Sequence, residues 1–191
     1  MNIKTIIKKY MTNANLSFKY SELSAENIKE IALKVNSVWQ SPTIEGVFYK
    51  SLKIFLDGRG DLIELWSEPW LEEGKIEPVK HIYFNRTALG VTKAWHVHEK
   101  TISQYTCVEG KMQIVLVDAR KDSPTFGNVD QFVIGTRNPA FIRIPPGVLK
   151  GWKALENESV IVNLLTLADT ADNYKYPWET ILQNIWEPKN G

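Results

Sequence analysis

The chain has 191 residues, of which 43% are hydrophobic and 24% charged, and its formal net charge is +1. This is the composition of an ordinary globular protein, and the weak charge argues against nucleic acid or an acidic membrane as a partner. The one cysteine, Cys107, excludes a disulfide framework within the chain. Together with the lack of a bilayer-length apolar run or a signal-peptide core, it predicts a cytoplasmic protein.

Residues 1–45 differ in pattern from the rest and predict an N-terminal helical extension. Ser24 is a good N-cap, and Glu26 lies in the first turn, where it suits the helix dipole. Apolar residues then recur at intervals of three and four up to Val38. We expect one helix of about four turns that ends before Pro42. For the lysine-rich start of the chain, a basic amphipathic surface segment is an alternative.

Residues 46–170 predict an all-β domain. Strand-like segments follow one another at intervals of about 8–12 residues without intervening helices, which is typical of a sandwich or a jelly-roll barrel. The segments are VFYKSLKIFL, DLIELW, VKHIYF, VTKAWHVH, SQYTCV, KMQIVLVD, VDQFVIG, AFIRI and ESVIVNLLTL. Residues 171–191 are mixed, and we expect them to pack on the barrel with a short helix around residues 178–185.

Two of the three histidines, His96 and His98, lie one residue apart in a strand-like segment. Side chains at positions i and i+2 of a strand project from the same face, so both imidazoles are expected to face one space. The pattern suits a metal site, a catalytic base with a neighbour, or two packed rings.

Four segments resemble, in the same order, the dTDP-4-dehydrorhamnose 3,5-epimerase family. They are LDGRGDLIE, FNRTALGVTKAWHVH, VEGKMQIVLVDARKDSPTFG and IRIPPGVLKGWKAL. The third is the most specific, because a match to VDARKDSPTFG at nine or ten positions rarely arises by chance. The resemblance implies a cupin jelly roll without a cofactor, and a homodimer formed by exchange of N-terminal strands.

The resemblance also implies a reaction on a nucleotide-linked 4-keto sugar. In that family a base removes the proton on the carbon beside the ketone, and an acid reprotonates the carbon from the opposite face. This chemistry needs a base with a pKa near 7, a group that stabilises the enolate, and an acid on the opposite face.

Several residues take the family's roles by position. His96 matches the catalytic base, and histidine exchanges a proton near neutral pH. His98 stands at a glutamine position and is expected to line the same pocket. Arg59 and Glu64 match a pair that binds substrate near the nucleotide. Asn85 also matches, and so adds a further substrate-binding residue.

Other positions depart from the family. Lys93 replaces an arginine and keeps its charge but not its two-pronged grip. Ser103 stands in place of a lysine beside the base, and Lys150 in place of a histidine. Asn163 replaces the tyrosine that serves as the acid, and asparagine cannot protonate a carbanion. The expected substrate-binding residues are Arg59, Glu64, Asn85, Lys93, His98, Ser103, Trp152 and Asn163.

The carboxylate that orients the base is displaced as well. Glu179 is the first candidate partner for His96 and Asp172 the second. Lys150 can compensate in part, because a buried lysine has a lowered pKa and can polarise a ketone or carry a proton.

Metal-binding cupins share the spacing of His96 and His98 but add an acidic residue and a third histidine. Here Ser103 and Lys150 stand at those positions, so we expect no metal. The leading interpretation is therefore an epimerase or isomerase acting on a nucleotide-linked 4-keto-deoxysugar. A non-catalytic protein that binds a sugar nucleotide is the main alternative, and a metal-dependent cupin enzyme is the third.

Overall fold

The computed structural model describes residues 23–169 and 171–187. The basic amphipathic segment considered for the start of the chain lies outside these residues. Within these residues there are two short helices, α1 (Ala25–Lys29) and α2 (Glu68–Glu72), and 3₁₀ turns at Trp178–Thr180 and Gln183–Trp186. The strands are β1 (Lys34–Val35), β2 (Phe48–Ser51), β3 (Ile54–Asp57), β4 (Gly60–Ile63), β5 (His81–Thr87), β6 (Thr92–His98), β7 (Ser103–Glu109), β8 (Lys111–Asp118), β9 (Asn128–Gly135), β10 (Ala140–Ile144), β11 (Val148–Ala154), β12 (Ser159–Leu165) and β13 (Asn173–Lys175).

Two sheets enclose the main core, which confirms the all-β jelly-roll prediction. One sheet has the strand order β1-β9-β8-β11-β6-β13 and the other β2-β10-β7-β12-β5, while β3 and β4 form a separate hairpin. Between the sheets lies an apolar cluster that includes Met112, Ile114, Phe132, Ile142 and Ile161. Inward side chains of both sheets therefore pack against each other, as in a sandwich closed into a barrel.

The sequence pattern located most strands but missed β11, among others. The segment VFYKSLKIFL is divided into β2 and β3 at the buried Leu52. Strand β11 was not expected, because its sequence VLKGWKA carries two lysines and a glycine. Gly151 in that strand lies where a Cβ atom would approach the Ala94 Cβ to 2.4 Å, so only glycine allows β11 and β6 this close.

The predicted four-turn helix near the N-terminus is wrong beyond its first turn. Ser24 does cap α1 through a hydrogen bond from the Asn27 amide to its Oγ, at 3.1 Å. The chain then leaves the helix, and β1 pairs in parallel with β9 at the edge of the larger sheet. Backbone pairing along this open edge outweighs the weak intrinsic helix preference of residues 30–38.

The motif VDARKDSPTFG builds a buried polar network at the end of β8 and does not reach the pocket described below. The Asp118 carboxylate is fully buried and accepts hydrogen bonds from Arg120 Nε at 2.8 Å and from the hydroxyls of Ser123 and Thr125, both at 2.6 Å. Arg120 also donates to the Glu45 carbonyl oxygen, which ties the incoming chain to the barrel. The most specific part of the sequence thus serves the fold.

Alternation along β6 places its histidines inside the barrel. Trp95 and Val97 point outwards into a second apolar cluster shared with α1 and the 3₁₀ turns. His96 and His98 consequently point inwards, towards the opposite sheet. Among the described residues, no helix has the length and apolar character needed to cross a membrane.

Replacing Asp118 by asparagine should strongly destabilise the protein, because Arg120 would remain buried without its counter-charge. Removal of one partner of a buried ion pair costs about 3–5 kcal/mol. Urea unfolding should show this loss, whereas the same change at the exposed neighbour Asp122 should stay within about 0.5 kcal/mol. Equal unfolding midpoints for the two variants would contradict the assignment of a structural role to the motif.

Candidate active site

A cavity of about 390 Å³ lies between the two sheets at one end of the barrel. Its size is in the range of small-molecule sites. The larger sheet contributes Lys93, Ala94, His96, His98, Lys150, Trp152, Asn173 and Lys175, and the smaller sheet contributes Tyr83, Asn85 and Tyr105. The cavity therefore has two chemically different walls.

The first wall carries the two histidines on β6 and a lysine on each neighbouring strand. His96 lies directly opposite Lys150 on β11 and opposite Lys175 on β13. His98 lies opposite Asn173. Strand pairing alone thus gathers two imidazoles and two amines.

His98 is held by a carboxylate. Its Nδ1 lies 3.0 Å from Asp172 Oδ1, and the same carboxylate accepts hydrogen bonds from the backbone amides of Lys100 and Thr101. Burial would raise the pKa of Asp172, but these donors lower it below its ordinary value, so the group is ionised at neutral pH. A carboxylate accepts only, hence the Nδ1 of His98 carries the proton and its Nε2 has a free lone pair.

His96 lacks such a partner. Its ring stacks on Trp152 with centroids 5.7 Å apart and an interplanar angle of 14°. Within residues 23–169 and 171–187 no hydrogen bond reaches the His96 ring. The expected carboxylate partner was therefore wrong on both counts, because Asp172 binds His98 and Glu179 is exposed, outside the residues that line the cavity.

Both imidazoles are neutral at ordinary pH. Burial lowers the pKa of His96 to about 4, helped by the positive charges of Lys150, Lys175 and Lys93. Burial and Lys150 likewise lower the pKa of His98 to about 4, against the opposing effect of Asp172. Either ring can accept a proton without first having to lose one.

Lys150 is the buried charge of the site, with 1% of its surface exposed. Desolvation lowers its pKa to about 7, although the charge of Asp172 opposes the shift. In the described part of the chain its ammonium makes no hydrogen bond or ion pair. The group is therefore free to interact with a ligand and to exchange a proton near neutral pH.

The second wall presents phenols and amides. Tyr83 and Asn85 on β5 line the cavity, and Tyr105 on β7 lies edge-on to Trp152 with centroids 5.8 Å apart. Asn163 on β12 is buried, lies opposite both tyrosines in the sheet, and donates from Nδ2 to the Tyr83 hydroxyl oxygen at 2.8 Å. The hydroxyl of Tyr83 thus occupies a fixed position.

The cavity has a cationic character. Lys93, Lys150 and Lys175 line it, and no aspartate or glutamate does so among the described residues. Lys175 is exposed and Lys93 is half-buried, so the charge continues towards the surface. Lys93 also donates to Asn85 Oδ1 at 2.5 Å. The arrangement suits an anionic ligand.

Of the residues selected from the sequence, the structure brings six to the cavity lining. They are Asn85, Lys93, His96, His98, Lys150 and Trp152. Ser103 and Asn163 are buried and are not among the lining residues. Arg59 and Glu64 are exposed on the β3–β4 hairpin and just after it, and Arg59 pairs with Asp57 at 2.5 Å.

Sequence reasoning missed Tyr83, Tyr105, Asn173 and Lys175. Tyr83 was within reach of the same alternation rule, because it lies two residues before Asn85 and so shares its face of β5. Asn173 and Lys175 come from β13. No local sequence pattern predicts that β13 pairs with β6.

The site also bears on metal binding. Among the described residues there is no cluster of three or more histidine, cysteine, aspartate or glutamate side chains suited to hold a metal ion. The buried amine of Lys150 lies beside the two histidines instead, and a cation there repels a divalent metal. The absence of a metal from the working protein stays a prediction.

Known proteins resemble the chain in sequence. The sequence model of dTDP-4-dehydrorhamnose 3,5-epimerase matches residues 41–182. A probable low-salt glycan biosynthesis epimerase of Haloferax volcanii is 39% identical over 127 residues, which cover 65% of this chain and 80% of the relative. The spore coat polysaccharide biosynthesis protein SpsL of Bacillus subtilis is 34% identical over 140 residues, covering 71% and 91%.

Solved structures give the same result at the level of the fold. The crystal structure of dTDP-4-dehydrorhamnose 3,5-epimerase from Sulfolobus tokodaii superposes with a TM-score of 0.67 at 25% identity, covering 74% of this chain and 82% of that one. A dTDP sugar isomerase from Desulfovibrio desulfuricans gives a TM-score of 0.66 at 23% identity, covering 77% and 91%. With the family match extending over most of the barrel, the chain belongs to the dTDP-4-dehydrorhamnose 3,5-epimerase family.

Proposed function

We propose that the protein is an epimerase or isomerase of a nucleotide-linked 4-keto-deoxysugar in glycan or polysaccharide biosynthesis. The observation that carries the proposal is the cavity itself, where two neutral imidazoles and a buried amine face a wall of phenols. Proton removal beside a ketone needs a base and a cation near the forming enolate. The named relatives in glycan and spore-coat polysaccharide biosynthesis support the same setting.

His96 is the proposed base. Its ring is half-buried at the cavity and is oriented by stacking on Trp152, and neither of its nitrogens has a hydrogen bond from the described residues. His98 is more deeply buried and has Nδ1 committed to Asp172, so we assign it a substrate-binding role through Nε2. His96 is therefore the better placed base, because its ring is the more accessible of the two.

Lys150 is the proposed stabiliser of the enolate. Its ammonium form would donate to the ketone oxygen, where negative charge develops as the proton leaves. Lys93 and Lys175, nearer the surface, would bind the diphosphate of the nucleotide. Glu179 has no place in this mechanism, because its exposed side chain does not reach the cavity.

A homodimer is the proposed assembly. Apolar side chains are exposed on β5 and on the β3–β4 hairpin, at 64% for Phe84 and 78% for Leu56. A second copy that covers them would also explain Arg59 and Glu64, which would then bind the nucleotide in the partner's cavity and not in their own. A cytoplasmic location stays a prediction from the sequence.

Deuterium exchange tests the enzyme proposal against a purely binding role. A dTDP-linked 4-keto-6-deoxysugar in deuterated water should take up deuterium beside the ketone, as followed by NMR. His96→Gln should slow uptake by about 10²–10⁴-fold, the usual contribution of a positioned base. Lys150→Met should slow it as well, and Lys121→Met on the exposed surface should not.

Saturable binding of the keto sugar without deuterium uptake would contradict the enzyme proposal. That result would favour the alternative of a sugar-nucleotide-binding protein. Unchanged thermal unfolding midpoints of the variants serve as the control for folding.

The pH dependence of uptake should be bell-shaped. His96 must be neutral, so kcat/KM should rise as pH increases through about 4, where its lowered pKa lies. Lys150 must be protonated, so kcat/KM should fall as pH increases through about 7. Lys150→Met should remove the basic limb, and an acid limb near the ordinary histidine pKa of about 6.5 would contradict the burial argument.

Light scattering after gel filtration should give twice the chain mass of 21.9 kDa. Phe84→Asp and Leu56→Asp should shift the protein towards the monomer, because each would bury a charge in the interface. Val38→Asp, at another exposed apolar position, should leave the dimer intact. A monomer in the unchanged protein would contradict the dimer proposal.

A further inference from the structure

The wall opposite the histidines contains Tyr83, whose phenol can give up a proton to a carbanion, as the Asn163 amide cannot. Tyr83 belongs to the five-stranded sheet and His96 to the six-stranded sheet, and both line the cavity between the sheets. A planar enolate held between these walls would have the imidazole on one face and the phenol on the other. Inversion of a carbon centre requires this placement of two proton-exchanging groups.

Asn163 fixes the direction of the hydrogen bond at Tyr83. Strand pairing places Asn163 directly opposite Tyr83 on β5, and its Nδ2 lies 2.8 Å from the phenol oxygen. An amide nitrogen only donates, so the Tyr83 oxygen accepts and its own proton is left to be donated elsewhere. Asn163 Oδ1 is buried and has no hydrogen-bond partner among the described residues, so it does not compete for that proton.

Tyr105 is the poorer donor on the same wall. It is almost fully buried and edge-on to Trp152. Burial raises the pKa of its phenol well above the ordinary value, because the phenolate would lie in an apolar setting. Tyr83 is only half-buried. The hydrogen bond from Asn163 would stabilise the negative charge that develops on the Tyr83 oxygen as its proton leaves.

We propose that Tyr83 is the proton donor on the face opposite His96 and that Asn163 is its positioning residue. The proposal rests on the proposed function. His96 takes the proton from the carbon beside the ketone and becomes an imidazolium, leaving an enolate. The Tyr83 O–H bond breaks as its proton forms the new C–H bond on the other face. The Tyr83 phenolate then regains a proton from solvent, and the imidazolium releases one, so no redox partner is needed.

The test measures inversion and solvent exchange separately in one NMR experiment on a dTDP-linked 4-keto-6-deoxysugar in deuterated water. Tyr83→Phe should reduce inversion by about 10²–10⁴-fold. Deuterium uptake with retained configuration should continue, because His96 can return a solvent deuteron to its own face. Tyr105→Phe is the matched control and should leave the ratio of inversion to exchange unchanged.

Asn163→Asp tests positioning with nearly the same side-chain shape. A carboxyl group there would accept from the Tyr83 hydroxyl and turn its proton away from the substrate. We expect the inversion-to-exchange ratio to fall, a change that a purely structural role would not produce. Asn163→Ala should lower the same ratio.

The outcomes separate the two proposals. Inversion at the original rate in Tyr83→Phe would overturn the role of Tyr83 and leave the proposed function standing. Absence of both exchange and inversion in the unchanged protein would overturn both. Loss of inversion in Tyr105→Phe alone would assign the acid to Tyr105 and refute Tyr83.

Discussion

Burial of the Lys150 amine beside two imidazoles is the constraint on which the chemistry of the cavity depends. The amine is 1% exposed, and its charge helps to keep both histidines neutral. Its own pKa, lowered to about 7, allows it to act as a cation or to give up its proton near neutral pH. A carboxylate at this position would raise the pKa of both histidines, and burial would raise its own pKa. It would also complete a metal site with the two imidazoles.

Strand pairing and a buried polar network elsewhere in the chain hold Lys150 in place. Pairing of β11 with β6 brings Lys150 opposite His96, and the close approach of these strands depends on Gly151. The network around Asp118 fixes the end of β8, the other neighbour of β11. The sequence segment whose resemblance to the family is most specific forms that network, so it serves the fold and does not line the cavity.

Sequence alone predicted the barrel and much of one wall. The apolar segments of β8 and β12 predicted strands that are buried along almost their whole length, and the spacing of His96 and His98 was enough to place both on one face. The helix beyond α1 failed because strand pairing at a sheet edge is a long-range effect that local periodicity does not contain. The assignment of Glu179 failed for the same kind of reason, since the return of β13 brings Asp172 to His98.

The hydrogen bond from Asn163 to Tyr83 changes the interpretation of Asn163. As a replacement for the family's tyrosine it predicted the loss of the acid, but its hydrogen bond to Tyr83 points to an acid on the neighbouring strand. No pattern in the sequence joins positions 80 residues apart in this way. Strand register is the missing information, and it follows only from the assembled sheet.

The most direct measurement of the central claim is a crystal structure of the His96→Gln variant with a dTDP-linked 4-keto-6-deoxysugar bound. We expect the sugar ring between the two walls, with the ketone oxygen within hydrogen-bond distance of Lys150 and the adjacent carbon between residue 96 and Tyr83. A sugar ring bound outside this cavity, or a ketone that faces away from Lys150, would contradict it.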